Sequence, residues 1–248
     1  MAVTMETLPE LKLFGGWVDR NRIVSQFIRT KFASYDRPIT VLEAGCGRKW
    51  SLDLRPLQIK ITGIDVDKDA IETRLRSGDL SAAVIGDLRT TDFKPNTFDC
   101  VYSCDVLEHI AGVEVVMRRL FRWLRPGGVA ILIFPDRTSL FALLTKLTPF
   151  WMHIAYHKYL HGLSEAGTPG FGPYRTYHDK ILCRRGIHAF CANHGYRVAL
   201  EYGRRIAIRD WPYNIGHLYR IVAWVAAKLS RGKIAASHVG LVYAIEKP

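Results

Sequence analysis

A chain of 248 residues with 48% apolar and 23% charged side chains has the balance and length of a globular protein with a large buried core, which excludes disorder, collagen and coiled coil. Its five cysteines, Cys46, Cys100, Cys104, Cys183 and Cys191, contain no C-x-x-C pair, which argues against a disulfide framework or a cysteine zinc site and for a reducing, cytoplasmic compartment. The net charge of +12 is held unevenly: 19 basic and 18 acidic residues run up to Asp136, then 16 basic and 5 acidic residues with eight of the nine histidines, so the second part is expected to meet something anionic or to handle protons.

In chain order, residues 18–32 have the spacing of an amphipathic helix. From 40 to 136, short apolar runs alternate with helical patterns. Residues 40–43, 59–65, 82–87, 98–103 and 129–135 read as strands. Residues 67–77, which open on acidic side chains, and 112–124, apolar at a 3.6-residue period, read as helices. Pro126-Gly127-Gly128 marks a turn feeding the fifth strand. Residues 137–179 form a long aromatic-, histidine- and glycine-rich segment of the kind that serves as a lid. A helix over 180–194, capped by Gly195, and strands at 196–202 and 239–246 follow, with an apolar and basic helix inside 213–233. This is an α/β pattern, a doubly wound, mostly parallel seven-stranded sheet with helical insertions after strand five and between strands six and seven. No secretory leader is expected, because residues 1–10 lack a basic start followed by an apolar run. No membrane span is expected either, because the longest apolar stretch, 140–160, is broken by Lys146 and Pro149.

The first strand ends in Glu43-Ala44-Gly45-Cys46-Gly47, where two glycines allow a tight turn and close approach of a ligand to the backbone. Twenty residues after Gly45, Asp65 ends the second strand, where a carboxylate can accept both hydroxyls of a ribose. A dinucleotide would want a third glycine where this chain has Trp50, and Glu43 would repel a diphosphate but suit an ammonium group. Both features favour a zwitterionic nucleoside without phosphate over a nicotinamide dinucleotide.

The series E-A-G-C-G, G-I-D-V-D, I-G-D-L, F-D-C-V-Y-S-C-D-V-L-E-H-I and L-R-P-G-G resembles the class I S-adenosylmethionine-dependent methyltransferases, nearest their broad small-molecule "type 11" group, over residues 41–135. The resemblance implies a Rossmann-like methyltransferase fold. The chain is expected to form a single methyltransferase domain over 1–248, with a helical cap (1–39), a cofactor core (40–136), a lid (137–179) and a C-terminal part (180–248). The resemblance also implies S-adenosyl-L-methionine as cofactor. Glu43, Gly45, Cys46 and Gly47 would stand at its methionine part, Asp65 at the ribose and Val66 against the adenine. Asp87 would meet the adenine amino group with Leu88 beside it, and Ser103, Cys104 and Asp105 would line the far side near the sulfonium. The chain departs from the family pattern at Arg48-Lys49-Trp50, where a Thr-Gly pair is commoner, so Arg48 or Lys49 would take the carboxylate.

An enzyme using a sulfonium methyl must hold a nucleophile in line, exclude water and, for a hydroxyl, remove its proton. The candidate bases are His157 and His178 in the lid and His109 after strand four; His153, His157 and His161, spaced i, i+4 and i+8, are expected on one helical face. No carboxylate accompanies them at ligand spacing, so no metal is expected. Arg175, Arg184, Arg185, Arg204, Arg205 and Arg209 offer sites for an anionic substrate group, and the helix in 213–233 suits an anionic membrane surface. The expected activity is methyl transfer, at oxygen, to a small-molecule or glycolipid-like acceptor, by a cytoplasmic enzyme peripheral to the membrane. An RNA methyltransferase is a second reading, disfavoured by the lack of a recognisable RNA-binding module; a silent binding protein of the same fold is a third.

Overall fold

The computed structural model describes residues 8–160, 162–168, 170–205, 213–231 and 233–248; the first seven residues, His161 and Arg209 lie outside the described residues. Eight strands are described: β1 (Lys12–Phe14), β2 (Ile39–Ala44), β3 (Ile59–Asp65), β4 (Ala82–Ile85), β5 (Phe98–Cys104), β6 (Leu124–Pro135), β7 (Arg197–Arg204) and β8 (Gly240–Glu246). They form one sheet in the order β1-β7-β8-β6-β5-β2-β3-β4. All pairings are parallel except those of β8 with β6 and β7. Strand order reverses at β2, which lies between β3 and β5, and the crevice at the carboxyl ends of such a pair is where open α/β sheets bind ligands. The seven expected strands are present; the eighth, β1, is three residues long and carries too little pattern to be read from sequence.

The sheet is buried on both faces because each strand splits its apolar side chains between them. In β6, Ala130, Leu132 and Phe134 enter one cluster while Val129, Ile131 and Ile133 enter the other, the two-residue period of a strand. The first cluster is closed by helices α3 (Val113–Trp123) and α6 (Arg184–His194) through Met117, Leu120, Phe121, Ile187 and Phe190. The second is closed by α1 (Trp17–Lys31) through Val24 and Ile28. Each such side chain stabilises the fold by about 1.5–3 kcal/mol. Helix α2 (Lys68–Ser77) is capped by Asp67, whose Oδ1 accepts from the backbone of Asp69 and Ala70, and stops at Gly78 with φ 74°.

Three boundaries differ from expectation. Strand β6 runs through Pro126-Gly127-Gly128, because Gly127 N–H donates to Lys247 O and Lys247 N–H to Gly128 O, extending the sheet to the C-terminus. Helix α6 starts at Arg184, because Asp179 Oδ1 accepts from Ile181 N–H and holds the preceding residues as a turn. The lid contains α4 (Leu140–Leu147), ended before Pro149, and α5 (Phe150–Ala155), which passes into a wider π-type turn over Tyr156–Leu160. His153 and His157 therefore do not share an α-helical face. Among the described residues no helix is long and apolar enough to cross a membrane.

Candidate functional site

The turn after β2 is built around its glycines. Gly45 (φ 76°) leaves no room for a side chain, since a Cβ would stand 2.3 Å from Val106 Cγ2. Its N–H and that of Cys46 donate to Ile64 O at 2.8 and 3.1 Å, tying the turn to β3. Gly47 (φ 52°) is the opposite case: nothing lies within 4 Å of where its Cβ would be, so this side of the turn is open. Gly47 N–H donates to Asp65 Oδ2 at 2.9 Å and Asp67 N–H to Asp65 Oδ1 at 2.9 Å. These two bonds orient the Asp65 carboxylate and leave it further lone pairs. Val66, next to it, is 70% exposed.

Beneath the turn lies a residue that the sequence reading missed. Arg74 of α2 is fully buried and donates from Nη2 to Glu43 Oε2 (2.7 Å), from Nη1 to Cys46 O (2.6 Å) and from Nε to Asp79 Oδ1 (2.8 Å). Its signal was available: Ala70, Ile71 and Arg74 occupy the buried stripe of α2 at i, i+1 and i+4.

Several of the side chains assigned by the resemblance are engaged within the protein. Glu43 is buried against Arg74 and Cys46 is buried beside Gly63, so both support the turn from within. Leu88 belongs to the core and has only its backbone to offer a ligand. Arg48 is engaged with Asp67 (2.9 Å) and stacks on the Phe171 ring at 5.0 Å. Trp50 packs edge-on against Tyr102 at 5.5 Å, among the second core cluster. Asp105 caps no helix; its Oδ2 accepts from Arg20 at 3.4 Å and from the Cys104 thiol at 3.3 Å. Burial pushes the Cys104 thiol up to about 12, so it is no thiolate nucleophile. Arg184 is taken by Glu201 and the Pro9 carbonyl. Asp87 is half-buried at the end of β4, forked by Arg89, which holds its pKa below the ordinary carboxylate range. Ser103 is buried at the end of β5, and its Oγ has no hydrogen-bond partner among the described residues.

After α5, the chain returns across the carboxyl ends of the strands as a strap. Gly170 sits against Arg48 and Asp67, where a Cβ would approach within 2.9 Å. The Tyr174 ring stands edge-on to His109 at 5.6 Å, and Tyr177 N–H donates to Glu108 O at 2.7 Å. The strap thus spans from the β2–β3 turns to the end of β5.

Between the strap, α4 and α5 lies a cavity of about 780 Å3. Gly45, Gly47, Asp65 and Asp87 do not line it, so it is distinct from the turn. All three candidate bases, His109, His157 and His178, line it together. His109 Nδ1 lies 3.0 Å from Arg175 O; a carbonyl only accepts, so Nδ1 carries the proton and Nε2 keeps a lone pair. Burial lowers the pKa of His109, and burial with the charges of Lys146 and Arg137 lowers that of His178, so both favour the neutral form that a base requires. Glu108, unforeseen as a site residue, also lines the cavity. Its Oε2 is buried without a hydrogen-bond partner among the described residues, and burial, aided by the charge of Asp105, pushes the carboxyl up to about 8.

A family model described as a methyltransferase domain matches residues 42–132. A Mycolicibacterium smegmatis protein named "Probable S-adenosylmethionine-dependent methyltransferase" is 30% identical over 213 residues, covering 84% of this chain and 78% of that protein. The chain belongs to the S-adenosylmethionine-dependent methyltransferases. The methyltransferase is also 30% identical over 130 residues to a ubiquinone biosynthesis O-methyltransferase of Mesorhizobium japonicum, covering 48% of this chain and 50% of that protein. Among solved structures, magnesium protoporphyrin IX methyltransferase of Synechocystis PCC 6803, with S-adenosylhomocysteine bound, shares the fold at a TM-score of 0.53 and 14% identity, covering 93% of this chain and 84% of that one.

The methyltransferase's residues fit the family's cofactor. The open side of Gly47, the spare lone pairs of Asp65, the exposed Val66 and the unpartnered Ser103 hydroxyl lie at the carboxyl ends of β2, β3 and β5. Bound there, S-adenosylmethionine supplies a methyl group already activated on a sulfonium sulfur.

Proposed function

We propose that this methyltransferase modifies a hydroxyl oxygen of an apolar, lipid-like acceptor held in the cavity between the strap, α4 and α5. The observation that carries the reading is the convergence of His109, His157 and His178 on one cavity whose other walls include Phe141, Leu144, Phe150 and Met152. An apolar cavity with a few placed polar groups binds a largely apolar molecule and orients its reactive end. On this reading Asp65 holds the ribose hydroxyls, Val66 covers the adenine, Asp87 accepts from the adenine amino group, and the Gly45–Gly47 turn passes beneath the methionine part. The strap excludes water. His109 takes the hydroxyl proton at Nε2, with Arg175 O holding the ring in that tautomer. Its lowered pKa keeps it a base at pH values below the ordinary histidine midpoint of 6.5.

The test supplies labelled S-adenosylmethionine with a cell extract and follows the methyl group. Label is expected in the chloroform-soluble fraction, and His109→Ala is expected to lower the rate about 100-fold or more while leaving affinity for S-adenosylhomocysteine within about two-fold. The acid limb of the wild-type rate profile should fall below pH 6.5. Label confined to the water-soluble fraction, or a His109→Ala rate near wild type, contradicts the reading.

A further inference from the structure

We infer that α4, α5 and the helix α7 (Tyr213–Leu229) together form a docking surface for an anionic lipid bilayer. Helix α7 packs inside out. Toward the protein it turns small residues and one aromatic, Gly216, Tyr219, Ala223 and Ala226, all buried or half-buried. Away from it, Leu218, Ile221, Val222, Val225 and Leu229 lie at i, i+3, i+4, i+7 and i+11. That spacing makes one stripe, and Leu229 is 81% exposed. A helix that merely covers the sheet would reverse this arrangement.

The adjoining lid helices continue the surface. The Tyr219 side chain is hydrogen-bonded to the backbone of Phe141, which ties α7 to α4, and Ala235 N–H donates to Thr138 O, which ties the segment after α7 to the one before α4. On α4 and α5, Leu147 and Trp151 are 73% and 67% exposed. The combined apolar area exceeds scattered surface leucines and marks an interaction site.

Charge identifies the occupant. Residues 137–163 and 213–238 contain no aspartate or glutamate, and they carry Arg137, Lys146, Lys158, Arg220, Lys228, Arg231 and Lys233. On α7 the cation Lys228 borders the apolar stripe next to Ile221 and lies 4.4 Å over the Trp224 ring. Apolar and aromatic side chains on one arc with a cation at its edge match the boundary between acyl chains and anionic headgroups. A helix with this pattern and no spanning length lies in the interface plane. The cavity opens on the same surface, since Phe141, Leu144, Phe150 and Met152 both line it and are exposed. An acceptor could pass from bilayer to cavity without crossing water.

The experiment is flotation of the full chain with vesicles of equal parts phosphatidylglycerol and phosphatidylcholine, against phosphatidylcholine alone. Wild type is expected to bind the anionic vesicles and to release as salt rises. The variant Leu218→Asp/Ile221→Asp/Leu229→Asp should bind about ten-fold or more weakly, and Lys228→Glu/Arg231→Glu should lose a comparable amount, at about five-fold per cation. Calorimetry with S-adenosylhomocysteine, unchanged in both variants, shows that the fold persists. Wild-type indifference to anionic vesicles, or equal binding by the variants, overturns the inference. So does a wild-type dimer that the leucine variant disperses without any vesicle affinity, which would assign the surface to a second copy. The surface is argued independently of the acceptor: vesicle binding by an enzyme whose label enters only water-soluble products would sink the proposed acceptor and leave the docking surface standing.

Discussion

Arg74→Ala is expected to destabilise the protein by about 3–5 kcal/mol and to lower its melting temperature by roughly 10 °C. Arg74 is 0% exposed and its three bonds converge on Glu43, Asp79 and the Cys46 carbonyl. Alanine leaves the buried Glu43 carboxylate without its cation and the carbonyl of the cofactor turn without its donor. The cost of breaking such a pair is set by the stranded charge more than by the lost attraction. Burial already pushes the Glu43 carboxyl up to about 7 against the pull of Arg74, and without Arg74 it rises further. The sign follows: protonation relieves the stranded charge, so the variant's deficit should be larger at pH 8 than at pH 5. Arg74→Lys should fall between, since one ammonium cannot reach three partners in fixed directions. Thermal melts across pH check this; a deficit below about 1 kcal/mol, or one independent of pH, contradicts it.

Glu108→Gln is expected to stabilise the protein progressively as pH rises from about 5, reaching about 3–5 kcal/mol near pH 8. Glu108 is pushed up to about 8 in the folded state, from an ordinary value of 4.5. Between those values the native protein holds a proton that the unfolded chain has already released. Native therefore binds more protons than unfolded, and wild-type stability declines through that window as pH rises. Glutamine mimics the protonated acid and does not titrate, so the two melting curves should converge near pH 4 and separate above it. Parallel pH profiles would show that Glu108 is ionised in the fold.

The period-two and 3.6-residue patterns made most of the sheet and α3 legible, because their burial is decided within each element. Asp65 and the glycines were legible because a tight turn with an acid twenty residues on has few other uses. Arg74 was not read because its partners come from β2, the turn and Asp79, and a cation on a helix ordinarily reads as solvated. Glu108 was hidden for a related reason: the strap that buries it lies far along the chain and has no periodicity. Cys46 and Leu88 were placed at the ligand by their positions in a motif, and the structure shows both side chains buried. A motif position specifies backbone more reliably than side-chain direction.

Titration calorimetry with S-adenosylhomocysteine, on wild type and Asp65→Asn, most directly tests whether the open glycine turn and the acid ending β3 hold the cofactor. Asparagine keeps the size of Asp65 and an acceptor for Gly47 N–H, and it removes the charge that strengthens bonds to ribose hydroxyls. Wild type is expected to bind and the variant to bind at least about ten-fold more weakly, with a similar melting temperature. Equal affinities, or no heat from the wild type, would contradict the site.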